Sequence, residues 1–161
     1  MKPKFQSKHT VIINAPLHKV WEFNQDLLKI ADYHPRVNKV DLISEKRYRD
    51  AGVSYQCHLS DGKNPCIEKD IEIVPFQKIV TLLPYDTMGL TKLLPDYVVE
   101  TEFSKIDDNT TKMQISHFYS SSKLKVIILN PIIKRKVVRE TSETLNSIKR
   151  AIEYEIENEN S

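Results

Sequence analysis

Hydrophobic and polar residues alternate through the middle of the chain. The alternation is clearest at residues 53–59, 97–103 and 113–119. A period of two residues is typical of antiparallel strands that bury one face of their sheet. Other β-branched or alternating runs are also predicted to be strands, at 9–14, 37–44, 67–73 and 78–83. We therefore expect an antiparallel sheet of about seven strands.

Helical spacing replaces this alternation on both sides of the predicted sheet. Pro16 suits the first turn of a short helix that carries Trp21 on its apolar face. A second short helix is expected over residues 26–33. It should end before Pro35, because the residue preceding a proline avoids helical backbone angles.

The last third of the chain is predicted to be helical. Residues 124–128 form a short amphipathic piece. Asn130 followed by Pro131 is a restart signal, since asparagine caps helices and proline is favoured at the first helical position. Apolar residues then recur at helical spacing up to Ile156, which predicts a helix of about 25 residues, or roughly 37 Å. This helix is the expected cover for the apolar face of the sheet.

The order of elements predicts an α+β fold. A curved antiparallel sheet of about seven strands should wrap around the long C-terminal helix, with two short helices after the first strand. A single domain over residues 1–161, with a core of about 8–156, accommodates all of these elements. A strongly curved sheet around one helix leaves space between the two, and a ligand would lie in that space.

Composition and charge exclude several functions. The net charge is +2, from 24 Lys and Arg against 22 Asp and Glu, so nucleic acid is not an expected partner. The 3 glycines cannot supply a phosphate loop or a dinucleotide fingerprint, and no cofactor is expected. No apolar run approaches the roughly 20 residues that span a bilayer, and residues 1–8 contain no apolar signal region. We expect a cytoplasmic protein, either a monomer or a homodimer.

Three segments resemble the signatures of a known superfamily. Residues 13–16 (Ile-Asn-Ala-Pro) leading to 20–23 (Val-Trp-Glu-Phe) are similar to the opening motif of the START-like superfamily. Residues 32–37 resemble its next signature, and 129–131 with the following helix resemble its terminal helix. The superfamily has the helix-grip fold and includes polyketide cyclases, plant abscisic-acid receptors and lipid-transfer domains. The resemblance implies a domain that binds a small hydrophobic or amphipathic molecule.

Several polar-tipped side chains share the phase of the predicted buried face, where a filled core would use aliphatic residues. They are Tyr55, Cys57, Tyr97, Thr101, His117 and Tyr119. An unpaired buried polar group costs roughly 1–3 kcal/mol, so these side chains need partners. Either they line a cavity opposite Val138, Leu145 and Ile148 of the long helix, or they lie at strand ends and reach water or each other.

Two candidate site residues can carry charge. His117 is the one histidine in the buried phase, which makes it the candidate general acid or base, although a strand histidine is also a common structural residue. Lys69 interrupts the apolar face formed by Ile67 and Ile71. It can pair with a ligand carboxylate or extend past the sheet edge into water. No metal is expected, because the five histidines are scattered along the sequence.

The two cysteines flank a predicted turn at residues 60–65. A tight turn would place Cys57 directly opposite Cys66 and favour a disulfide. The alternation argues against this, because Cys66 is out of phase with Ile67 and Ile71 whereas Cys57 lies in the buried phase of its own strand. We therefore expect two free thiols in a reducing compartment.

Two further segments are candidates for contacts at the surface. The connection over residues 84–95 is unusually apolar, so it is interpreted as a lid over the cavity, a homodimer contact or a membrane contact. Lys134, Arg135, Lys136 and Arg139 form a basic cluster near the start of the long helix. This cluster is either a solvated face or a contact for an anionic membrane or an acidic partner.

Three functions are compatible with these patterns. The leading hypothesis is a binding protein for a lipid-like or polyketide-like small molecule. The alternatives are an enzyme of the polyketide cyclase or dehydrase type that uses cavity Tyr and His groups, and a protein-interaction module. An open cavity that contacts His117 favours the first two functions, and a packed interior favours the third.

Overall fold

A curved seven-stranded antiparallel sheet wraps around a long C-terminal helix in the computed structural model, which describes residues 3–161. The strands are β1 (Phe5–Ile13), β2 (Val37–Asp41), β3 (Ser54–Leu59), β4 (Pro65–Val74), β5 (Lys78–Asp86), β6 (Val98–Asp107) and β7 (Thr110–Phe118). Their order across the sheet is β1-β7-β6-β5-β4-β3-β2. The predicted α+β helix-grip architecture is confirmed. The first two residues of the predicted domain 1–161 lie outside the described residues.

Four helices accompany the sheet in the described part of the chain. They are α1 (Leu17–Gln25), α2 (Ile30–Tyr33), α3 (Leu90–Leu93) and α4 (Leu124–Glu159), with a 3-10 turn (Leu27–Lys29) between α1 and α2. The two short helices after β1 are thus confirmed. The carboxylate of Asp86, at the end of β5, accepts hydrogen bonds from the N–H groups of Leu90 and Thr91, which explains why α3 begins there. Within residues 3–161, no helix has the length and apolar character needed to cross a membrane.

Helix α4 is continuous over 36 residues, so the predicted restart at Asn130 was wrong. The Asn130 side chain does not cap a helix. Its Oδ1 accepts a hydrogen bond from the Tyr119 hydroxyl at 2.8 Å, and its Nδ2 donates to the Gln6 side chain. Pro131 lies inside the helix, where its ring removes one backbone hydrogen bond. The contacts of Asn130 with Tyr119, directly after β7, and with Gln6 of β1 therefore override the capping signal.

The face of β4 that points into the core is the opposite of the one predicted from its isoleucines. Cys66 and Asp70 are buried, whereas Ile71 is 45% exposed. The register of β4 against β5 shifts twice, and the second shift, after Asp70, lets Ile73 pack against the core again. A bulge adds one residue to one strand, so it reverses the alternation beyond it. A pattern read from one sequence does not reveal where such a bulge lies.

The main core lies between the sheet and the C-terminal half of α4. Leu145, Ile148 and Ile152 of α4 are at most 2% exposed and belong to one buried cluster with residues of β1, β5, β6 and β7. The ring of Trp21 lies edge-on to Phe103, with centroids 5.3 Å apart, and joins α1 to this cluster. The long helix thus covers the sheet as predicted.

Replacing Leu145 by alanine should lower the free energy of unfolding by about 2–5 kcal/mol, because the deleted side chain is fully buried. The matched control is Tyr154→Ala on the same helix, where the side chain is 67% exposed. This control should change the free energy by about 0.5 kcal/mol or less. Urea denaturation followed by tryptophan fluorescence measures both, and equal effects would contradict the described core.

Candidate functional site

A cavity of about 300 Å³ lies between the sheet and α4. Most of its wall is apolar and includes Ile79, Leu83, Val99, Met113, Ile115 and Ile148. On α4 the wall consists largely of shorter or polar side chains, among them Val137, Glu140, Thr141 and Thr144. Two threonines thus face the sheet before the point where α4 supplies the larger Leu145 and Ile148. This change of side-chain size along the helix leaves the space open.

The ring of His117 links the sheet to α4 at one side of the cavity. Its Nδ1 lies 2.8 Å from the Tyr97 hydroxyl, and its Nε2 lies 2.7 Å from Thr141 Oγ1. The Thr141 hydroxyl donates its one proton to the carbonyl oxygen of Val137, so it must accept a hydrogen bond from Nε2. Nδ1 is then the acceptor for Tyr97. Both ring nitrogens are therefore occupied by protein groups.

Burial lowers the pKa of His117 to about 4. The imidazole is consequently neutral at pH 7, which fits one donated and one accepted hydrogen bond. Burial also lowers the pKa of His34, another residue of the cavity wall, to about 4. Neither histidine supplies a positive charge to the cavity at neutral pH.

A buried ion pair lies on the β4 side of the cavity. Arg49, in the loop between β2 and β3, places Nη1 2.8 Å from Asp70 Oδ1, and the two side chains are 11% and 0% exposed. Arg49 Nε also donates to the carbonyl oxygen of Asn24 at 2.9 Å. Thr81 donates its hydroxyl to Asp70 Oδ1 at 2.8 Å. These hydrogen bonds offset the large cost of taking both charges out of water.

Glu68 extends this network to the cavity wall. Arg49 Nη1 donates to the Tyr55 hydroxyl at 2.7 Å, and that hydroxyl donates to Glu68 Oε2 at 2.8 Å. Burial raises the pKa of Glu68, although the Tyr55 hydrogen bond and the charge of Arg49 oppose the rise. The wall therefore contains a carboxyl group that keeps its proton to a higher pH than an exposed glutamate does.

Two thiols lie beside Glu68. Cys57 and Cys66 are directly opposite each other on β3 and β4, and both are buried and free. The expected free thiols are present, but the predicted opposite faces were wrong because β4 turns Cys66 inward. A hydrogen bond with Cys66 is the main cause that raises the pKa of Cys57, and burial of the thiol raises it further. The two sulfur atoms and a Glu68 oxygen lie within 4.8 Å of one another and could hold a thiophilic cation after losing their protons.

The structure brings some of the predicted site residues together and separates others. Cys57, Tyr97, Thr101 and His117 line the cavity. Tyr55 and Tyr119 are 0% and 1% exposed and are not part of the wall. The Tyr55 hydroxyl donates a hydrogen bond to Glu68 from outside the cavity wall, and the Tyr119 ring stacks on Tyr97 with centroids 5.5 Å apart.

The expected positions of Lys69 and Val138 are corrected. Lys69 is exposed, because the phase of β4 turns its neighbours Glu68 and Asp70 toward the interior. It therefore does not reach a ligand in the cavity. Val138 is 37% exposed and does not belong to the cavity wall, which contains the preceding residue, Val137, instead.

Arg49, Glu68 and Asp70 are the site residues that sequence reasoning missed. Cys66, Glu68 and Asp70 alternate as regularly as the isoleucines between them, so both faces of β4 were open to interpretation. Two carboxylates can face inward only if a buried cation faces them, and Arg49 lies between two strands, where charged residues are ordinarily exposed. No local signal links Arg49 to a strand some twenty residues later.

This curved sheet, the helix it encloses and the cavity between them define a START-like helix-grip protein. The chain belongs to the polyketide cyclase / dehydrase and lipid transport family, whose model matches residues 4–153. No curated protein sequence matches the chain. The family and the fold together indicate a hydrophobic ligand-binding or polyketide cyclase-type function.

Solved structures from several organisms share this fold. The Zhui aromatase/cyclase from Streptomyces sp. R1128 is 19% identical, with a TM-score of 0.73 over 93% of this chain and 94% of that one. A START superfamily protein from Mycobacterium smegmatis is 13% identical, with a TM-score of 0.68 over 96% and 98%. Norcoclaurine synthase from Thalictrum flavum, in complex with dopamine and hydroxybenzaldehyde, is 15% identical, with a TM-score of 0.69 over 91% and 84%. At these identities, the likeness shows the fold alone.

Acidification should destabilise the protein partly through His117. Its pKa is about 4 in the folded chain against an ordinary 6.5, so folding favours the neutral ring. The resulting stabilisation is fully present above pH 6.5 and is lost as the pH falls toward 4. A shift of this size corresponds to roughly 3 kcal/mol. His117→Gln should therefore lose less stability than the wild type between pH 7 and pH 4.5.

Urea denaturation at several pH values in this range measures the effect. The matched control is His18→Gln, because His18 is exposed on α1. The control should keep the wild-type pH dependence. If His117→Gln also keeps it, the buried neutral state of His117 is contradicted.

Proposed function

We propose that the protein binds a small hydrophobic or amphipathic molecule in the cavity between its sheet and α4. The observation that carries the proposal is the cavity itself, with a mostly apolar wall and a few polar groups. Ligand sites of proteins are typically of this kind, and about 300 Å³ lies at the small end of their usual range. A packed interior would instead have supported a protein-interaction module.

The positions of the polar groups suggest the shape of the ligand. Thr101 and the Tyr97–His117 pair lie on or beside β6 and β7, whereas Glu68 and Arg49 lie on the β3–β4 side. An apolar molecule with one polar group at either end would satisfy both sides. A ligand carboxylate would place a second acidic group beside Glu68, so a hydroxyl or carbonyl group of the ligand suits that side better.

The location, partners and oligomeric state that we propose are those expected from the sequence. Two buried, directly opposed free thiols support a reducing compartment, and we propose that the protein acts in the cytoplasm. The nearly balanced net charge supports the absence of a nucleic acid partner. The cavity is built by one chain, so a monomer suffices for binding, and a homodimer is compatible with it.

Filling the cavity should weaken binding while the fold persists. In Thr101→Phe a large ring enters the cavity, and the affinity for an anilinonaphthalene sulfonate probe should fall by at least about tenfold, or roughly 1.4 kcal/mol. Thr10→Phe is the matched control, because Thr10 lies on β1 and is exposed. Fluorescence titration measures both. The proposal fails if the folded wild type binds no probe, or if both variants bind as tightly as the wild type.

Glu68 supports a second candidate function, that of a polyketide cyclase or dehydrase. A partly buried carboxyl group with a raised pKa, at the wall of an apolar cavity, is a suitable general acid. His117 is less suited to this role because protein groups occupy both of its nitrogens. Family membership is compatible with either function.

Glu68→Gln should separate the two functions. The variant keeps the size of the side chain and a hydrogen-bond acceptor for Tyr55, so probe binding should stay within about tenfold of the wild type. Any conversion of a poly-β-keto thioester by the wild type should be lost in the variant. Turnover that survives in Glu68→Gln would rule out the carboxyl group as the acid, and a wild type without turnover would leave the binding function alone.

A further inference from the structure

The outward side of the first turns of α4 is apolar. Leu124, Ile127, Ile128 and Ile132 are 57–71% exposed, and their spacing of three and four residues places them along one side of the helix. We call these four residues the helix stripe. Single exposed aliphatic residues are ordinary, but a contiguous row of them marks an interaction surface on a soluble protein.

The same segment is basic throughout. Residues 120–139 contain 6 Lys and Arg and no Asp or Glu. The charges belong to Lys123, Lys125, Lys134, Arg135, Lys136 and Arg139. Helix α4 also begins with no acidic residue in its first turn and no side-chain cap, so the positive end of its dipole adds to this charge. The surface around the helix stripe therefore favours an anionic partner.

We propose that the helix stripe docks on an anionic phospholipid bilayer. The helix would lie in the plane of the membrane, with its four aliphatic side chains in the boundary between headgroups and acyl chains. The flanking lysines and arginines would contact lipid phosphates. A row of apolar residues flanked by basic ones is the pattern by which interfacial helices bind membranes. This surface is separate from the cavity, so the proposal does not rest on the proposed function.

The cavity lies close to this surface through the connection before β6. Lys123, at the start of α4, donates a hydrogen bond to the carbonyl oxygen of Lys92 in α3. Leu94 and Val126 pack in one buried cluster just behind. Met88, in the same connection, is 52% exposed and also belongs to the cavity wall. The connection that leads from Met88 to β6 therefore contacts the buried side of the first turns of α4, whereas the helix stripe lies on their exposed side.

Charge favours a membrane over a second copy of the chain as the occupant. In a symmetric dimer, the same patch faces itself, so the basic residues of both copies would come together. Like charges across an interface are unfavourable, whereas an anionic bilayer supplies the opposite charge and an apolar layer at once. The bilayer therefore satisfies both features of the surface.

Vesicle flotation tests the proposal with the full-length protein. Vesicles of phosphatidylcholine with about one-quarter phosphatidylserine should bind the wild type at low salt, and phosphatidylcholine alone should bind it much more weakly. Ile128→Glu/Ile132→Glu should abolish binding. Tyr154→Glu is the matched control, since it puts a carboxylate in place of an exposed apolar residue at the other end of α4. This control should bind like the wild type.

A second pair of variants tests the charge. Lys134→Gln/Arg135→Gln should weaken binding by about fivefold per residue, because each basic residue near an anionic surface contributes about that factor. Lys8→Gln/Lys63→Gln removes two exposed charges elsewhere and should have little effect. Circular dichroism and probe binding without vesicles should be unchanged in all variants, so a failure of docking can be told apart from a failure of the cavity.

Several results would overturn the proposal. These are a folded wild type that does not float with either vesicle, equal binding to both vesicles, and binding that survives in Ile128→Glu/Ile132→Glu. A wild-type dimer that becomes monomeric in that variant, with no vesicle binding, would assign the helix stripe to a second copy of the chain. Binding to soluble polyglutamate as strong as to vesicles would assign it to an acidic protein.

Discussion

The packing of α4 against the inward face of the sheet is the contact on which the rest of the structure depends. Leu145 and Ile152 fill that contact in the C-terminal half of the helix. Nearer the start of the helix, Thr141 and Thr144 face the sheet instead. Their shorter side chains do not fill the space, and the cavity lies there. One helix therefore contributes both to the main core and to one wall of the candidate site, and the boundary between the two roles lies within about one helical turn.

Two polar networks make this cavity specific in shape. The ring of His117 ties β7 to α4 through Thr141, and Arg49 ties the loop before β3 to Asp70 on β4. Removing one member of either network would lower the stability of the fold, because a buried polar or charged group would then have no partner. Since the members are hydrogen-bonded, the networks instead fix the relative positions of the elements that carry them. The residues available to a ligand thus sit on rigid supports.

The sequence predicts the fold well because the fold depends on patterns that repeat. Alternation identifies the strands, and helical spacing identifies the C-terminal helix. The predictions fail where a single contact decides the outcome. The side chain of Asn130 bonds to Tyr119 and does not cap a helix, and a bulge after Asp70 shifts the phase of β4. The same bulged strand explains why Lys69 was expected inside and why Glu68 was not expected there. His117 and Tyr97 were found because the alternation is regular along β7 and from Tyr97 into β6.

The proline inside α4 marks the point at which this helix bends most readily. Without an N–H at Pro131, the carbonyl of Ile127 lacks its usual partner, and proline is where long helices bend most readily. The turns before Pro131 are attached through Val126 and Asn130, whereas the turns after it are attached through the main core, so α4 has two separate attachments. A small displacement of the first turns is therefore taken up at Pro131, where a helix bends most readily, before it reaches Thr141 in the cavity wall.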